Sequence, residues 1–442
     1  MILRLLVALV LLSLPAEAAT YYVSNSSGSN ANSCMTAQTI GTPKATISGA
    51  SGGTSCLAAG DTLVIAAGTY TTTNDVLDTA TFNIAAGTNF TSGAVTIQGD
   101  TLTTGTRIQT GDGVVQCRFA DATDQYIIVA DITFDYTGNT SVQEGCLVQT
   151  GAGYIRFQNI EIDEALIFGV VVSATSDGNV EVLTSRIHNT GSPTGTDITV
   201  GHGIYIAGPN NLISGNVIDD NEGYGVQVDD NVGPATQQNG TIVRRNLIAN
   251  NGTNHSTAFG ITIARCDTGC VIEGNKIYGN QDGIQLYSYS KNIKVEHNTV
   301  INNEGAGIAF QYYISGNSVS YNVIYGHTVD GNLDDNGTNA DVCPPTGSCT
   351  VTQTGNLTGS DITAVDVITD WTTRNFHLTA TSLARDTGPA TCTSSPLDFD
   401  GVARPQGSNC DVGAYEYEDP QPPAPTPLSY GARIRRRLGI GR

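Results

Sequence analysis

At 442 residues, with 14% charged and 39% hydrophobic residues, the chain lies within the range of one large β architecture. Fifty-one glycines against two methionines exclude helical bundles, coiled coils and long disordered tails. Twenty Lys+Arg against 41 Asp+Glu leave a net charge of −21, which excludes nucleic acid as a general partner.

The chain opens on Met1-Ile2-Leu3-Arg4, runs apolar to Leu14 and closes on Pro15-Ala16-Glu17-Ala18. A charged start, a short apolar centre and a small-residue exit are the pattern of a secretory signal peptide over residues 1–18. No later stretch approaches the roughly twenty apolar residues of a transmembrane segment, so a secreted or cell-surface protein is expected. Export makes disulfides the expected fate of the cysteines at 34, 56, 117, 146, 266, 270, 343, 349, 392 and 410. Pairing neighbours in order closes the shortest loops, but the connectivity stays open. Zinc is disfavoured, because no Cys/His cluster of the usual spacing occurs.

Residues 19–60 read as an N-terminal cap region. From 61 to 340 a loose motif recurs about every 23 to 35 residues, a solenoid period. One part is glycine followed by apolar-x-apolar, at Gly169, Gly203, Gly225, Gly260, Gly283 and Gly307. The other is Asn-x-apolar, at Asn159, Asn216, Asn246, Asn275, Asn298 and Asn322. Alternation buries one strand face, and Gly and Asn supply positive φ at corners. A single unit cannot bury its own apolar face, so units stack with parallel strands about 4.8 Å apart and the asparagines bond from rung to rung. The fold class expected is all-β, a right-handed single-stranded parallel β-helix of about ten coils with capped ends.

Residues 341–418 differ in composition and read as a C-terminal capping module, with Asp386, Asp398, Asp400, Arg404, Asp411 and Glu416 forming turns and ion pairs. From 419 to 442, Pro420, Pro422, Pro423, Pro425 and Pro427 make a stiff spacer before Arg433, Arg435, Arg436, Arg437 and Arg442. Such a tail can contact acidic groups of a cell surface.

The opening, Tyr21–Ser24 through Gly60-Asp61-Thr62 and Gly68-Thr69-Tyr70, resembles that of secreted pectate-lyase-like β-helix proteins. The segments Leu378–Gly388, Asp400–Gly407 and Asp411–Glu416 resemble the closing module of the bacterial surface proteins called choice-of-anchor Q. With the repeats, this likeness covers nearly the whole mature chain. It implies the fold and leaves the activity open, because that scaffold hosts lyases, hydrolases, epimerases and adhesins.

Stacking turns the outward residues of the glycine-led strands into columns on one face. Tyr205, Gln227, Thr262, Gln285 and Ala309 form one column; Ala207, Asp229, Ala264, Tyr287 and Gln311 form the next, with Asp230, Arg265, Ser288 and Tyr312 at the strand exits. Aromatic planes, amides and carboxylates are the groups that bind sugars. His202, Tyr205, Gln227, Gln285, Gln311 and Tyr312 are therefore candidate polysaccharide-binding residues, and an acidic glycan is the expected partner.

For β-elimination on a uronate, Arg265 neutralises the acid or abstracts the proton and Tyr287 donates one to the leaving oxygen. Asp229 and Asp230 can hold a Ca²⁺ that bridges to the substrate, so Arg265, Asp229, Asp230 and Tyr287 are the candidate catalytic residues. The plain alternative is that Arg265 pairs with an aspartate on a neighbouring rung. For a hydrolase, Asp229, Asp230 and Asp282 supply the carboxylates. Gly201-His202-Gly203 and Asn280-Gln281-Asp282 resemble polygalacturonase motifs in reversed order, without that family's paired aspartates, so no catalytic role carries over. His188, His255, His297 and His327 read as turn residues. A non-catalytic adhesin is the competing class.

Overall fold

The computed structural model describes residues 17–418 except 81–83, 101–104, 142–143, 192–200, 230–237, 254–257, 312–313, 328–332, 335–350, 360–367 and 371–372. The expectations placed on the signal peptide up to residue 16, Asp230, His255, Tyr312, Cys343, Cys349 and the Pro/Arg tail lie outside the described residues.

Thirty-three of the described strands build three parallel sheets of 12, 10 and 11 strands, called here sheets one, two and three. A single coil shows the path: Glu181–Leu183 in sheet one, Arg186–His188 in sheet three, His202–Ile206 in sheet two, then Leu212–Ser214 back in sheet one. This is the expected all-β parallel β-helix. Inward residues stack in register: Phe157, Val182, Ile213, Val243, Ile272, Val295 and Val319 make one column inside sheet one. All are buried, and each such side chain contributes on the order of 2 kcal/mol of apolar burial.

The glycines leading the sheet-two strands serve a purpose other than the one expected. Gly203, Gly225 and Gly260 do not have positive φ. They are needed for room, since a Cβ at Gly225 would lie 2.6 Å from the Gly260 carbonyl oxygen and 2.7 Å from Ile248 Cγ2. Positive φ falls instead at the ends of the other two sheets: at Thr184, Gly215, Arg245 and Gly274 after sheet one, and at Asp220, Asn250, Gly279, Asn302 and Gly326 after sheet three, where corner Gly and Asn supply it as expected.

The asparagine column forms as read. Asn216, Asn246, Asn275, Asn298 and Asn322 each pass an Nδ2 hydrogen to the Oδ1 of the next asparagine at 2.9–3.0 Å, ending on Asn356. Asn159 is the exception: it has positive φ and donates to Asp131 Oδ1 at 2.6 Å. Ser185 takes its place at the head of the column, its N–H held by Asn216 Oδ1 at 2.9 Å. A second column, Asn221–Asn251–Asn280–Asn303, runs up the corner between sheets three and two.

Disulfides join Cys34 to Cys56, Cys266 to Cys270 and Cys392 to Cys410. Cys117 and Cys146, the other described pair of the ordered pairing, are in-register neighbours in sheet two but remain buried thiols. Both face the apolar core, and burial with the adjacent Cys117 holds the Cys146 thiol well above its ordinary pKa.

Near the C-terminus, residues 374–417 lie against the side of the solenoid. Lys276 Nζ donates to the Arg374 carbonyl at 2.8 Å, Ala414 N to Thr299 Oγ1 at 2.9 Å and Gly413 N to the Tyr321 carbonyl at 2.8 Å. Phe376, Leu378, Val412 and Tyr415 share an apolar cluster with Ile301 and Val323. Within the segment, the buried Arg404 guanidinium donates to the Asp411 and Gly413 carbonyls at 2.8 Å each and faces Glu416 at 3.6 Å.

Candidate functional site

The outward columns of sheet two are assembled in the expected register. Tyr205 pairs with Gln227, Gln227 with Thr262, Thr262 with Gln285 and Gln285 with Ala309. Thr262 Oγ1 donates to Gln285 Oε1 at 3.1 Å, and Gln285 Nε2 donates to Gln311 Oε1 at 2.8 Å. These groups point away from the apolar core, yet Gln227, Thr262 and Gln285 are buried, while Tyr205 and Gln311 are half-buried. The hydrogen bonds among Thr262, Gln285 and Gln311 satisfy polar groups that water does not reach.

Beside this column runs a second one that was not read from the sequence. The residue preceding the motif glycine is aromatic in four consecutive coils: Phe168, His202, Tyr224 and Phe259. Their ring centroids follow one another at 5.1, 4.8 and 6.4 Å, and Tyr205 stacks on Phe168 at 5.2 Å. The signal was present at a fixed offset from each glycine. His202 is almost wholly enclosed in this stack; the Tyr224 N–H donates to its Nδ1 at 3.0 Å, which leaves the ring proton on Nε2. Phe168, Tyr205 and Tyr224 keep partly open rings.

The predicted charged cluster lies at the opposite ends of these strands, with Asp229 and Arg265 on the rungs of Tyr224 and Phe259. Asp229 continues the strand Val226–Val228, its N–H bound to the Ile206 carbonyl at 3.0 Å. One rung on, Arg265 Nε faces Asp229 Oδ1 at 3.8 Å. Ala264 pairs with Tyr287, which places Tyr287 on the next rung. Arg265 has positive φ, and its N–H donates to the Ser288 carbonyl at 2.9 Å, with the Cys266–Cys270 disulfide following directly. Tyr224 is pushed up to about 12 by burial, with Tyr287, Asp229 and Asp282 adding to the effect. Its phenol stays protonated and can donate a hydrogen bond.

Of the two aspartates expected to hold Ca²⁺, Asp229 is buried and turned toward a guanidinium, and Asp230 lies outside the described residues. Among the described residues no group of three His, Cys, Asp or Glu is arranged to hold a metal ion. The described donors do not fit the ion, and no step is derived through it. Asp282, a hydrolase candidate, pairs in register with Phe259 and accepts a hydrogen bond from the Ala306 N–H.

Sheet three carries a different outward face. Arg107 pairs with Asp135, and Arg186 pairs with Asp219 at 2.8 Å. His188, read as a turn residue, instead ends the strand Arg186–His188 with Nε2 3.1 Å from Glu161 Oε1 and Nδ1 2.8 Å from Asn189 Nδ2. The amide can only donate, so Nε2–H donates to Glu161. A cleft of about 790 Å³ opens at the end of this sheet, lined by Glu164, Asn189, Asp220 and Glu222 among others.

A family model described as a right handed beta helix region matches residues 201–356. No curated protein sequence matches the chain. Among solved structures, pectate lyase Pel9A is similar, with 17% identity, 90% of this chain and 96% of that one covered, and a TM-score of 0.59. XylC in complex with xylose is similar at 11% identity, with 89% and 98% covered and a TM-score of 0.54. An alginate lyase from Paenibacillus sp. str. FPU-7 has 18% identity, 68% and 93% covered and a TM-score of 0.44. The chain has the right-handed, pectate lyase-like β-helix fold. At these identities the likeness is one of fold.

Proposed function

We propose that this protein is a secreted, polysaccharide-binding β-helix that engages an extended glycan along the outward face of sheet two and cleaves it by β-elimination where a uronate meets Arg265. The carrying observation is that one outward face holds both groups: the aromatic column at the strand starts and the Asp229–Arg265–Tyr287 cluster on adjacent rungs at the strand ends. Sugar C–H faces stack on Phe168, Tyr205 and Tyr224, and hydroxyls meet Gln311 and Asp282. Arg265 neutralises the uronate and lowers the cost of removing the proton at C5. The Asp229 carboxylate takes the C5 proton, the C5–H electron pair forms the C4–C5 double bond, the C4–O bond breaks, and Tyr287 protonates the departing oxygen; the proton on Asp229 then returns through solvent to Tyr287. The Cys34–Cys56, Cys266–Cys270 and Cys392–Cys410 disulfides suit a chain that matures outside the reducing cytosol.

A second reading is favoured by the Arg265–Asp229 pairing, which occupies the cation: a non-catalytic surface protein that presents the same glycan-binding face. The C-terminal resemblance to choice-of-anchor Q proteins and the arginine-rich tail belong to that reading. One assay separates the two. The mature protein is incubated with pectate and alginate, with added calcium or with chelator, and unsaturated-uronate absorbance is followed. Product that disappears in Arg265→Ala and falls at least tenfold in Tyr287→Phe supports the lyase. Binding without product in either condition supports the surface protein, and loss of product on chelation alone shows that the reaction needs a divalent ion.

A further inference from the structure

The outward face of sheet two carries an uncharged aromatic stretch between charged residues. Across Phe168–Val172, His202–Ile206 and Val226–Val228, the outward strand positions are Phe168, Val171, His202, Tyr205 and Gln227, with Tyr224 just before the third strand. These strands contain no carboxylate, lysine or arginine. Charge bounds them on both sides: Glu144 pairs in register with Phe168 on the preceding rung, with Arg118 and Asp78 before it, and Asp229, Arg265 and Asp282 follow. Among the described sheet-two strands and exits, the arginines are Arg118 and Arg265, and an aspartate faces each: Asp78 holds Arg118 through two hydrogen bonds of 2.7 Å, and Asp229 stands 3.8 Å from Arg265.

A homopolymeric uronan sets a carboxylate on every sugar, whereas the rungs from Phe168 to Tyr224 span about 10 Å, or about two sugars, without a countercharge. Pressing carboxylates against Phe168, Tyr205 and Tyr224 strips their water with nothing in exchange. An uncharged sugar gains from the same rings, because its C–H face meets the negative face of the aromatic system. Arg265, at the far end, suits one acidic residue, which competes with Asp229 for the guanidinium.

We infer that the ligand of this face is a mixed polysaccharide in which uncharged sugars lie over Phe168, Tyr205 and Tyr224 and a uronate lies at Arg265. The inference rests on the reading of sheet two as the glycan site and narrows it from acidic glycans in general to heteropolymers. It assigns the aromatic stretch to substrate selection and the Arg265 cluster to chemistry.

Binding is measured by calorimetry on the full mature protein at fixed salt, with calcium and with chelator. The probes are length-matched oligosaccharides of galacturonate alone, of galacturonate alternating with rhamnose, and of xylose. The alternating oligosaccharide should bind at least tenfold more tightly than either of the others. Equal or tighter binding of the all-galacturonate oligosaccharide overturns the inference and leaves the glycan site standing. Equal binding of the xylose oligosaccharide removes the uronate from it. Failure of all three to bind overturns the site itself, and the inference with it. Tyr205→Ala should weaken the alternating ligand about tenfold and the all-galacturonate ligand less than twofold; an equal loss on both also overturns the inference. Phe168→Leu repeats the comparison should Tyr205→Ala lower the melting temperature.

Discussion

Two columns of polar side chains run along the later coils of this solenoid, and they end in opposite states. In the corner between sheets one and three, Asn216 through Asn356 close on themselves: each amide donates to the next asparagine and to a carbonyl of an earlier coil, as Asn246 does to Asn275 Oδ1 and the Ile213 carbonyl. On sheet two, the column closes through Thr262, Gln285 and Gln311, but Tyr205, Tyr224, Arg265 and Tyr287 keep partly open surfaces. The same stacking produces both. What differs is whether each group is enclosed with its partners one rung away, which makes a structural spine, or keeps a surface open to solvent, where a ligand can reach it.

The sharpest way to break that contrast is Asn246→Ala. It removes the acceptor of both Asn216 N–H groups at 3.0 and 2.9 Å, and the donor to the Ile213 carbonyl, all at a fully buried site. Each buried group left without a partner costs about 1–3 kcal/mol, so a loss of at least about 3 kcal/mol is expected from denaturant titration. A loss under about 1 kcal/mol would mean that the spine is not where stability resides.

A third column tests the intermediate case, in which partners are present but of the wrong sign. Arg244, Glu273 and Glu296 stand in register on successive strands of sheet one. Burial pushes the Glu273 carboxyl up to about 7, Glu296 adds to the rise, and Arg244, Arg245 and Lys294 oppose it. The unfolded carboxyl ionises near 4.5 while the folded one keeps its proton. Stability should therefore fall as pH rises from about 4.5 to about 7 and then level off, by up to about 3 kcal/mol from this group. Glu273→Gln should flatten that interval, as melting temperatures across it will show; an unchanged slope would place the titration elsewhere.

How much of this was legible in the sequence follows from how local each signal is. The solenoid and its asparagine spine were readable because Asn-x-apolar recurs with little variation, and only Asn159, turned outward by positive φ, departs from the column. The outward order of Tyr205, Gln227, Thr262 and Gln285 was readable because strand alternation fixes it. The aromatic column is equally local, one residue before each motif glycine, but it lies just outside the glycine-led repeat and alternates among Phe, His and Tyr. The burial of Gln227 and Gln285 depends on packing that no short window contains. The partnership of His188 with Glu161 needed the register of two strands whose separation varies from coil to coil.

Sheet three supplies the smallest and most discriminating prediction. Its outward face is also a column, but one of opposite charges, with Arg186 and Asp219 joined by two hydrogen bonds at 3.1 and 2.8 Å. The arginine side chain is 46% exposed, and exposed pairs of this kind contribute about 0.2–1 kcal/mol. Arg186→Ala should thus lower stability by less than about 1 kcal/mol, and it should leave the affinity for the alternating oligosaccharide within twofold. If that affinity instead fell tenfold, the glycan would have to run over sheet three, and the openness of the sheet-two column would need a different explanation. If both quantities hold, a self-neutralising charged column is inert for the same reason that the asparagine spine is: its groups already have their partners.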